Sequence, residues 1–257
     1  METELGRLRQ TVQSAVGKVL PPRISLPLRA RLGGSREPEL SILSRFVHAG
    51  DTVIDVGAHH GVYTYHLARL VGPTGHVVAY EPQPALARYL SAGVAGPGWR
   101  DRVELRARAL SDTAGTTVLH VPLDNGRPVI GRATLGDAVD DAVDVDVATA
   151  VLDDEPMPGP LRFMKVDVEG HELALLKGAQ GLLTRDRPTL LVEVEVEHAG
   201  TERVRHLATL LLDDLGYQAR ELSGNVVVPV DRKRWDGPQL NRRPGGQYAN
   251  NFLFTTA

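Results

Sequence analysis

Cysteine is absent from the 257-residue chain, which excludes disulfide bonds, zinc–thiolate sites and a cysteine nucleophile. The formal net charge is also small, −3 at pH 7, so no global electrostatic field favours nucleic acid. No apolar run approaches the ~18–20 residues of a membrane span, and residues 1–20 lack the apolar core of a signal peptide. We therefore expect no nucleic-acid or membrane partner, and we take the cytoplasm as the default compartment.

The remaining composition is that of an ordinary globular protein, with 42% hydrophobic and 24% charged residues. Its length suits one large domain, which we place at residues 37–257, after an N-terminal helical extension over residues 1–36. Apolar side chains at helical spacing predict an amphipathic helix over residues 3–19. Attachment of that helix to a membrane surface is the weaker alternative, because its polar face mixes both charge signs. The stretch "PPRISLP" breaks the helix, and "EPELSILSRFVHA" predicts a second one.

From Asp51 onward, predicted strands alternate with predicted helices. The core strands are "TVIDV", "HVVAYEP", "VELRARAL", "RFMKVDVEG" and "TLLVEVEVEH", while "YQARELS" and "NNFLFTT" close the sheet. Repeated strand–helix units predict an α/β fold with a mainly parallel sheet flanked by helices. Two near-alternating strands, "TTVLHVP" and "VDVDVATAVLD", predict an antiparallel β insertion between Thr116 and Asp153 that covers the substrate side.

The loop "GAHHG" follows the first core strand and precedes a helix. Gly57 and Gly61 let the backbone approach a ligand at the strand tip, and the helix N-terminus offers free N–H groups. Glu81 stands at the end of the neighbouring strand, where a carboxylate can accept both hydroxyls of a ribose. Because open α/β sheets bind ligands at the carboxyl ends of their strands, a nucleoside-containing ligand fits this arrangement.

The identity of that nucleoside depends on what the loop lacks. A dinucleotide fingerprint, Gly-x-Gly-x-x-Gly, requires a middle glycine that is missing here. Asp55 at the end of the strand would repel phosphates and suits a cationic ammonium or sulfonium. These features favour S-adenosylmethionine; a dinucleotide and a plain strand–helix turn with solvent-facing acids remain alternatives.

A second group of polar residues lies in "FMKVDVEGHELALLKGA". Asp167, Glu169 and His171 cluster where a central strand ends, and three titratable groups there are costly unless ligated or used. The alternative is that Glu169 and Glu172 only cap and neutralise the following helix N-terminus.

Taken in order, "VIDVGAHHGVYT", "AYEP", "ALSD", "FMKVDVEGHELALLKGA" and "RPTLLVEVEVEH" resemble the FkbM family of S-adenosylmethionine-dependent methyltransferases over roughly residues 37–255. The resemblance implies the class I methyltransferase (Rossmann-like) fold, with a seven-stranded sheet whose last strand is antiparallel. It also implies O-methylation of a hydroxyl on a small molecule, often a sugar or a polyketide product.

The resemblance assigns site residues position by position. The first cofactor motif is matched by Asp55, Gly57, Ala58, His60, Gly61 and Thr64. Glu81 matches the ribose acid, and the segment expected near adenine is matched by Ala109, Leu110 and Ser111. Asp167, Glu169 and His171 match the motif after the strand, and Glu193 matches an acid on the next strand.

For the chemistry, His171 is the most natural base, because an imidazole is partly neutral at working pH. Asp167 and Glu193 end strands that should be neighbours, and together they could hold Mg²⁺; alternatively, Asp167 fixes the cofactor and Glu193 anchors the acceptor, with Glu169 as a further candidate base. A catalytically silent S-adenosylmethionine-binding scaffold is the competing function. The basic loop at residues 231–243 is either a substrate wall or a solvated loop, and self-association into a homo-oligomer stays open.

Overall fold

The structure is a computed structural model that describes residues 20–33, 37–96, 98–135, 139–223, 226–242 and 248–256. The helix expected over residues 3–19 lies outside these residues. No helix in the described ranges is long and apolar enough to cross a membrane.

The strands and helices follow the order that the sequence predicts. In chain order the strands are β1 (Thr52–Val56), β2 (His76–Tyr80), β3 (Val103–Arg106), β4 (Ala109–Leu110), β5 (Gly115–Asp124), β6 (Arg127–Pro128), β7 (Ala142–Ala150), β8 (Leu161–Val166), β9 (Thr189–Glu193), β10 (Gln218–Ser223), β11 (Val226–Pro229) and β12 (Asn251–Thr255). The α-helices are α1 (Pro22–Gly33), α2 (Val62–Leu70), α3 (Pro84–Val94), α4 (Glu172–Lys177), α5 (Gln180–Asp186), α6 (Val196–Ala199) and α7 (Thr201–Ala208), and α7 continues as a π-helix over Thr209–Asp214. Short 3₁₀ helices cover Pro38–Ser41, Leu43–Arg45, Ile130–Arg132, Leu152–Asp154 and Arg232–Asp236.

The main sheet contains eight strands in the order β11-β10-β12-β9-β8-β1-β2-β3. Strands β3, β2, β1, β8 and β9 are parallel, and β12 pairs antiparallel with β9. All five residues of β1 are buried, as expected for a strand covered on both faces. The parallel arrangement brings the carboxyl ends of β1, β2, β8 and β9 to one edge of the sheet.

The sheet has one strand more than the seven that the resemblance implies. The additional strand is β11, which forms an antiparallel hairpin with β10 at the edge, Glu221 opposite Val228. The other seven strands keep the expected pattern, with the last strand in sequence, β12, inserted antiparallel between β9 and β10. The α/β class I fold is therefore confirmed, and the strand count is extended by a hairpin.

The segment between β4 and β8 forms a second sheet in the order β4-β7-β5-β6. Strands β5 and β7 pair antiparallel from Gly115 opposite Thr149 to Pro122 opposite Ala142. Leu119, Val121 and Val147 form a small apolar core on one face. The predicted β insertion is confirmed.

One prediction about the helices before β1 is wrong. The stretch "EPELSILSRFVHA" forms two short 3₁₀ helices, Pro38–Ser41 and Leu43–Arg45, in place of one α-helix. The stretch "PPRISLP", predicted to break the helix over residues 3–19, also supplies the first half of α1, with Pro27 inside it. Leu26 and Ala30 of α1 are buried, and this tertiary packing offsets the backbone hydrogen bond that proline cannot donate.

The segment "ELALLKGAQGLL" forms α4 and α5 where the pattern predicted one helix. The break falls at Gly178, where an added Cβ would lie 2.2 Å from the backbone oxygen of Ser111. The loop after β4 therefore occupies the space beside this turn.

Candidate active site

A cavity of about 290 Å³ lies at the carboxyl edge of the main sheet. Its floor is formed at the tips of β1, β2, β8 and β9, which contribute Gly57, Glu81, Asp167 and Glu193. Its opposite wall is apolar and comes from the insertion, with Leu119, Ile130 and Leu135. The cavity thus combines charged groups at the sheet with an apolar cover.

Glu81 is 2% exposed and is fixed by two backbone N–H groups. Its Oε2 accepts a hydrogen bond of 2.7 Å from the N–H of His59, and its Oε1 accepts one of 2.8 Å from the N–H of Gln83. Burial raises the pKa of Glu81 to about 7, against the lowering effect of these two hydrogen bonds. Each carboxylate oxygen keeps a further lone pair that can meet a ligand hydroxyl.

The two loop glycines have positive φ angles, +75° at Gly57 and +79° at Gly61. A Cβ on Gly57 would lie 1.8 Å from the backbone oxygen of Asp167, and one on Gly61 would lie 2.4 Å from a methyl carbon of Leu90. Because Gly57 has no side chain, the loops after β1 and β8 can pack closely against each other. Because Gly61 has none, helix α3 can pack closely against the loop. Only Gly57 lines the large cavity.

The two histidines of the loop face different surroundings. His59, at φ +49°, lines the large cavity, and its buried Nε2 has no hydrogen-bond partner among the described residues. The ring of His60 packs against Tyr89, with centroids 5.7 Å apart. Burial lowers the pKa of both rings, that of His60 to about 3, so both are neutral at pH 7. The resemblance nominated His60, and sequence spacing alone could not tell which ring faces the ligand.

Asp55 lies on the other side of the same loop. It is 1% exposed, accepts a hydrogen bond of 2.5 Å from Thr64 Oγ1, and burial raises its pKa to about 6. With Ala58 and His60 it lines an adjoining cavity of about 110 Å³, which shares Gly57, His59 and Asp167 with the first cavity. Of the predicted first cofactor motif, only Gly57 therefore borders the large cavity.

Lys165, near the end of β8, was missed by sequence reasoning. It is 1% exposed, and its Nζ lies 3.1 Å from Oδ2 of Asp167 and 5.0 Å from the centre of the Tyr63 ring. Burial lowers its pKa, but the carboxylates of Asp167 and Glu193 outweigh this and raise it above the ordinary value. The sequence feature that could have identified it as a site residue is a lysine inside the largely apolar run "FMKVDV".

Asp167 follows β8 and Glu193 ends the neighbouring strand β9, as predicted, and both line the cavity. Burial first and then the charge of Asp167 raise the pKa of Glu193 to about 9. Asn250 donates to Glu193 and, at 2.8 Å, to Glu195. Among the residues described, no group of three or more His, Asp or Glu side chains is arranged to hold a metal ion.

Glu169 lines the cavity in a left-handed backbone conformation, φ +50°. Its Oε2 lies 2.7 Å from Nδ1 of His198, and its backbone oxygen accepts a hydrogen bond of 2.7 Å from Thr134 in the insertion. Burial, followed by the charge of Asp167, raises its pKa to about 8. The carboxylate at the start of α4 is that of Glu172, which accepts from the N–H of Gly170 at 2.9 Å.

His171 lies at the N-terminus of α4 and lines the cavity. Its Nε2 is 3.0 Å from Ser111 Oγ, and burial lowers its pKa. Ala109 and Leu110 also line the cavity, whereas Ser111 lies behind them against the histidine.

The described residues of the basic loop, 231–242, do not border the cavity. Trp235 is fully buried against Phe252 and Phe254, Arg232 pairs with Asp213 at 2.9 Å, and Arg234 pairs with Glu221 at 2.9 Å. Trp235 and Leu240 anchor this segment in the core, whereas Asp231, Lys233 and Asp236 are exposed. Its described residues therefore form a partly solvated loop and not a wall of the cavity.

Comparisons with known proteins agree with this architecture. The Methyltransferase FkbM domain matches residues 55–219. The methyltransferase sdnD of Sordaria araneosa is 27% identical over 217 residues, which cover 74% of this chain and 78% of that protein. The crystal structure of methyltransferase FkbM from Methylobacillus flagellatus KT superposes with a TM-score of 0.50 at 15% identity, over 98% of this chain. The chain spans only 60% of the length of that solved protein. The chain therefore belongs to the FkbM family of S-adenosylmethionine-dependent methyltransferases.

Proposed function

We propose that this methyltransferase is an O-methyltransferase that acts on a hydroxyl group of a small molecule, either a sugar moiety or a polyketide or glycosylated natural product. The observation that supports this proposal is the row of titratable groups along the cavity beyond Glu81: Asp167, Glu169, His171 and Glu193. A scaffold that only binds the cofactor has no need for these groups together, since each carries a desolvation cost.

The strand tips fit S-adenosylmethionine. The buried carboxylate of Glu81 is oriented by two backbone N–H groups and keeps lone pairs for the ribose hydroxyls. Ala109 and Leu110 offer an apolar surface for the adenine, and the carboxyl group of Asp167 at the same edge suits a cationic sulfur. When bound, S-adenosylmethionine supplies a methyl group that is activated by its sulfonium.

His171 would act as the base. The acceptor oxygen has to lie ~3–3.5 Å from the methyl carbon, in line with the bond that breaks, and the hydroxyl proton has to leave as charge develops. Because burial lowers the pKa of His171, its imidazole is neutral at pH 7 and has a lone pair for that proton. The apolar side chains of the insertion exclude water from the same space.

The competing proposal is that Asp167 and Glu193 hold Mg²⁺, which would lower the pKa of the acceptor hydroxyl. Both carboxyl groups line the cavity, and a metal would displace the proton that the raised pKa of Glu193 leaves on it at pH 7. Glu169 is the other candidate for the base, but its carboxylate contacts His198 and its raised pKa leaves it largely protonated at pH 7.

The test is methyl transfer from methyl-labelled S-adenosylmethionine to a panel of sugars, glycosides and polyketides. We expect a labelled methyl ether with wild type, and a loss of roughly 10²–10⁴-fold in turnover for His171→Ala with the cofactor still bound. A matched control is His48→Ala, since that side chain is 69% exposed and remote from the cavity.

The same assay decides between the alternatives. Full activity in EDTA would remove the metal account, whereas a loss restored by Mg²⁺ would support Asp167 and Glu193 as ligands. Tight binding of S-adenosylmethionine without transfer to any hydroxyl would favour the scaffold and overturn the proposal.

A further inference from the structure

We propose that Ser111 is a positioning residue for His171: it accepts a hydrogen bond from Nε2–H of the imidazole, which leaves Nδ1 as the atom that takes the hydroxyl proton of the acceptor. This inference rests on the proposed function, in which His171 is the base. It gives Ser111 a role different from the contact with adenine that the family resemblance implies.

Ser111 contacts His171 and does not line the cavity. Its Oγ lies 3.0 Å from His171 Nε2, and its backbone N–H donates to the oxygen of Ala150 at 2.9 Å. Ser111 is 7% exposed and is absent from the cavity wall that its neighbours Ala109 and Leu110 form. The close approach of Gly178 to the backbone of Ser111 holds this segment against the turn after α4.

The direction of the hydrogen bond follows from the third group, Asp112. Ser111 Oγ donates a hydrogen bond of 3.3 Å to Asp112 Oδ1, which is an acceptor. The single hydroxyl proton of Ser111 therefore points to Asp112, and a lone pair of Oγ remains for an N–H of His171. A neutral imidazole has one N–H, so this proton lies on Nε2 and Nδ1 is bare.

Nδ1 of His171 is free to serve as the base. His171 begins α4, yet its side chain makes no capping hydrogen bond to the helix. No described residue is hydrogen-bonded to Nδ1, and the ring lines the cavity.

Burial and the neighbouring charges together lower the pKa of the His171 ring, so it is neutral before the reaction. Burial lowers its pKa, Asp112 opposes this and Arg203 from α7 adds to it. Glu169 on the preceding loop and Glu172 on α4 are the other titratable groups near the ring in sequence, and both have raised pKa values. When the ring gains a proton, the Ser111–Asp112 pair stabilises the imidazolium through Nε2.

The test is ¹⁵N NMR of the imidazole rings in the labelled full-length chain, with the His171 signals assigned by their loss in His171→Gln. We expect the Nε2–H tautomer in wild type. Ser111→Ala should lose this preference and Ser111→Thr should restore it, and Asp112→Asn should lower the pKa of the ring further. Thr113→Ala is the matched control, because that hydroxyl also lies 3.3 Å from Asp112 Oδ1 but does not contact the ring.

Binding of S-adenosylmethionine separates the two roles of Ser111. Calorimetric affinity should be nearly unchanged in Ser111→Ala if the residue positions His171. An Nδ1–H tautomer in wild type would overturn the proposal, and so would an affinity loss of about tenfold or more with an unchanged ring. None of these measurements needs an acceptor, so failure of the inference is distinguishable from failure of methyl transfer.

Discussion

At the scale of single residues, the site is a set of carboxyl groups held away from water. Burial is the largest cause of the raised pKa at each of Asp55, Glu81, Glu169 and Glu193. Lys165 is a buried cation among them, with its Nζ 3.1 Å from Oδ2 of Asp167. This excess of acid favours a ligand that brings positive charge, as the sulfonium and ammonium of the cofactor do.

Glu81→Gln should weaken S-adenosylmethionine binding by about 1–3 kcal/mol, because the amide keeps the shape of the side chain but loses the charge-assisted hydrogen bonds to the ribose. Isothermal titration calorimetry measures the change. Glu197→Gln, an exposed acid on α6, is the control and should bind as wild type does. Equal affinity of Glu81→Gln and wild type would remove Glu81 from the site.

At the scale of elements, the loop "GAHHG" after β1 is positioned by two elements that are distant from it in the sequence. The backbone after β8 contacts it at Gly57, and α1 contacts it at Gly61, since Leu26 lies near the position of a Cβ there. The insertion is tied to the same edge, through Gln83 to the oxygen of Ile130 at 2.9 Å and through Thr134 to Glu169. The loop geometry therefore depends on elements far apart in the sequence.

Gly57→Ala should destabilise the fold more than Gly216→Ala. Both positions have a left-handed φ, +75° and +66°, so both substitutions carry backbone strain of about 1–3 kcal/mol. Gly57→Ala adds a collision with Asp167, worth ~1–3 kcal/mol more, whereas nothing lies within 4 Å of a Cβ at Gly216. Urea denaturation of the two variants measures the difference, and similar losses would argue against the loop contact.

Leu26→Ala tests whether α1 is part of the domain. Leu26 is 2% exposed and packs against the space left by Gly61 and Gly93, so truncation should cost ~2–5 kcal/mol of unfolding free energy. Ile24→Ala is the control, because Ile24 is 55% exposed and should change stability by under ~0.5 kcal/mol. An unchanged midpoint for Leu26→Ala would instead support the predicted boundary after residue 36, with an extension that packs loosely.

At the scale of the whole molecule, the carboxyl groups with raised pKa values make stability depend on pH. A carboxyl whose pKa is higher in the folded state binds more protons there than in the unfolded chain. Its contribution is present below the unfolded pKa and is lost as the pH rises through the folded value. The folded values run from about 6 at Asp55, through about 7 at Glu81 and Glu172 and about 8 at Glu169, to about 9 at Glu193.

Below about pH 7 the lowered pKa values of His59, His60 and His171 act in the opposite direction. We therefore expect the melting temperature of the cofactor-free protein to fall as the pH rises from about 7 to about 9. S-adenosylmethionine should stabilise the protein more at the upper end of this range, since its positive charge favours the ionised carboxylates. Glu193→Gln should flatten the curve between about pH 8 and 9, because it removes the group that titrates there. Differential scanning calorimetry across this range measures all three effects, and a melting temperature that rises with pH would contradict them.

The sequence by itself determined the sheet and the place of the site. Apolar strands that alternate with helices must run parallel, so residues that follow β1, β2, β8 and β9 meet at one edge. For this reason Glu81, Asp167, Glu169 and His171 were predicted from the sequence pattern. Glu193 was assigned from the family resemblance, and all five residues line one cavity. The alternation of "TTVLHVP" likewise predicted the insertion, because a period of two residues specifies a strand.

Only the tertiary structure decided how these side chains are paired. Periodicity reports burial and strand direction, but it does not report which atoms of distant elements lie within hydrogen-bonding distance. Such packing decides that His59 and not His60 lines the cavity. It also places Lys165 beside Asp167 and Ser111 beside His171. Helix α1 with its internal Pro27 was missed for the same reason, since its stability comes from the helices that it contacts and not from its own sequence.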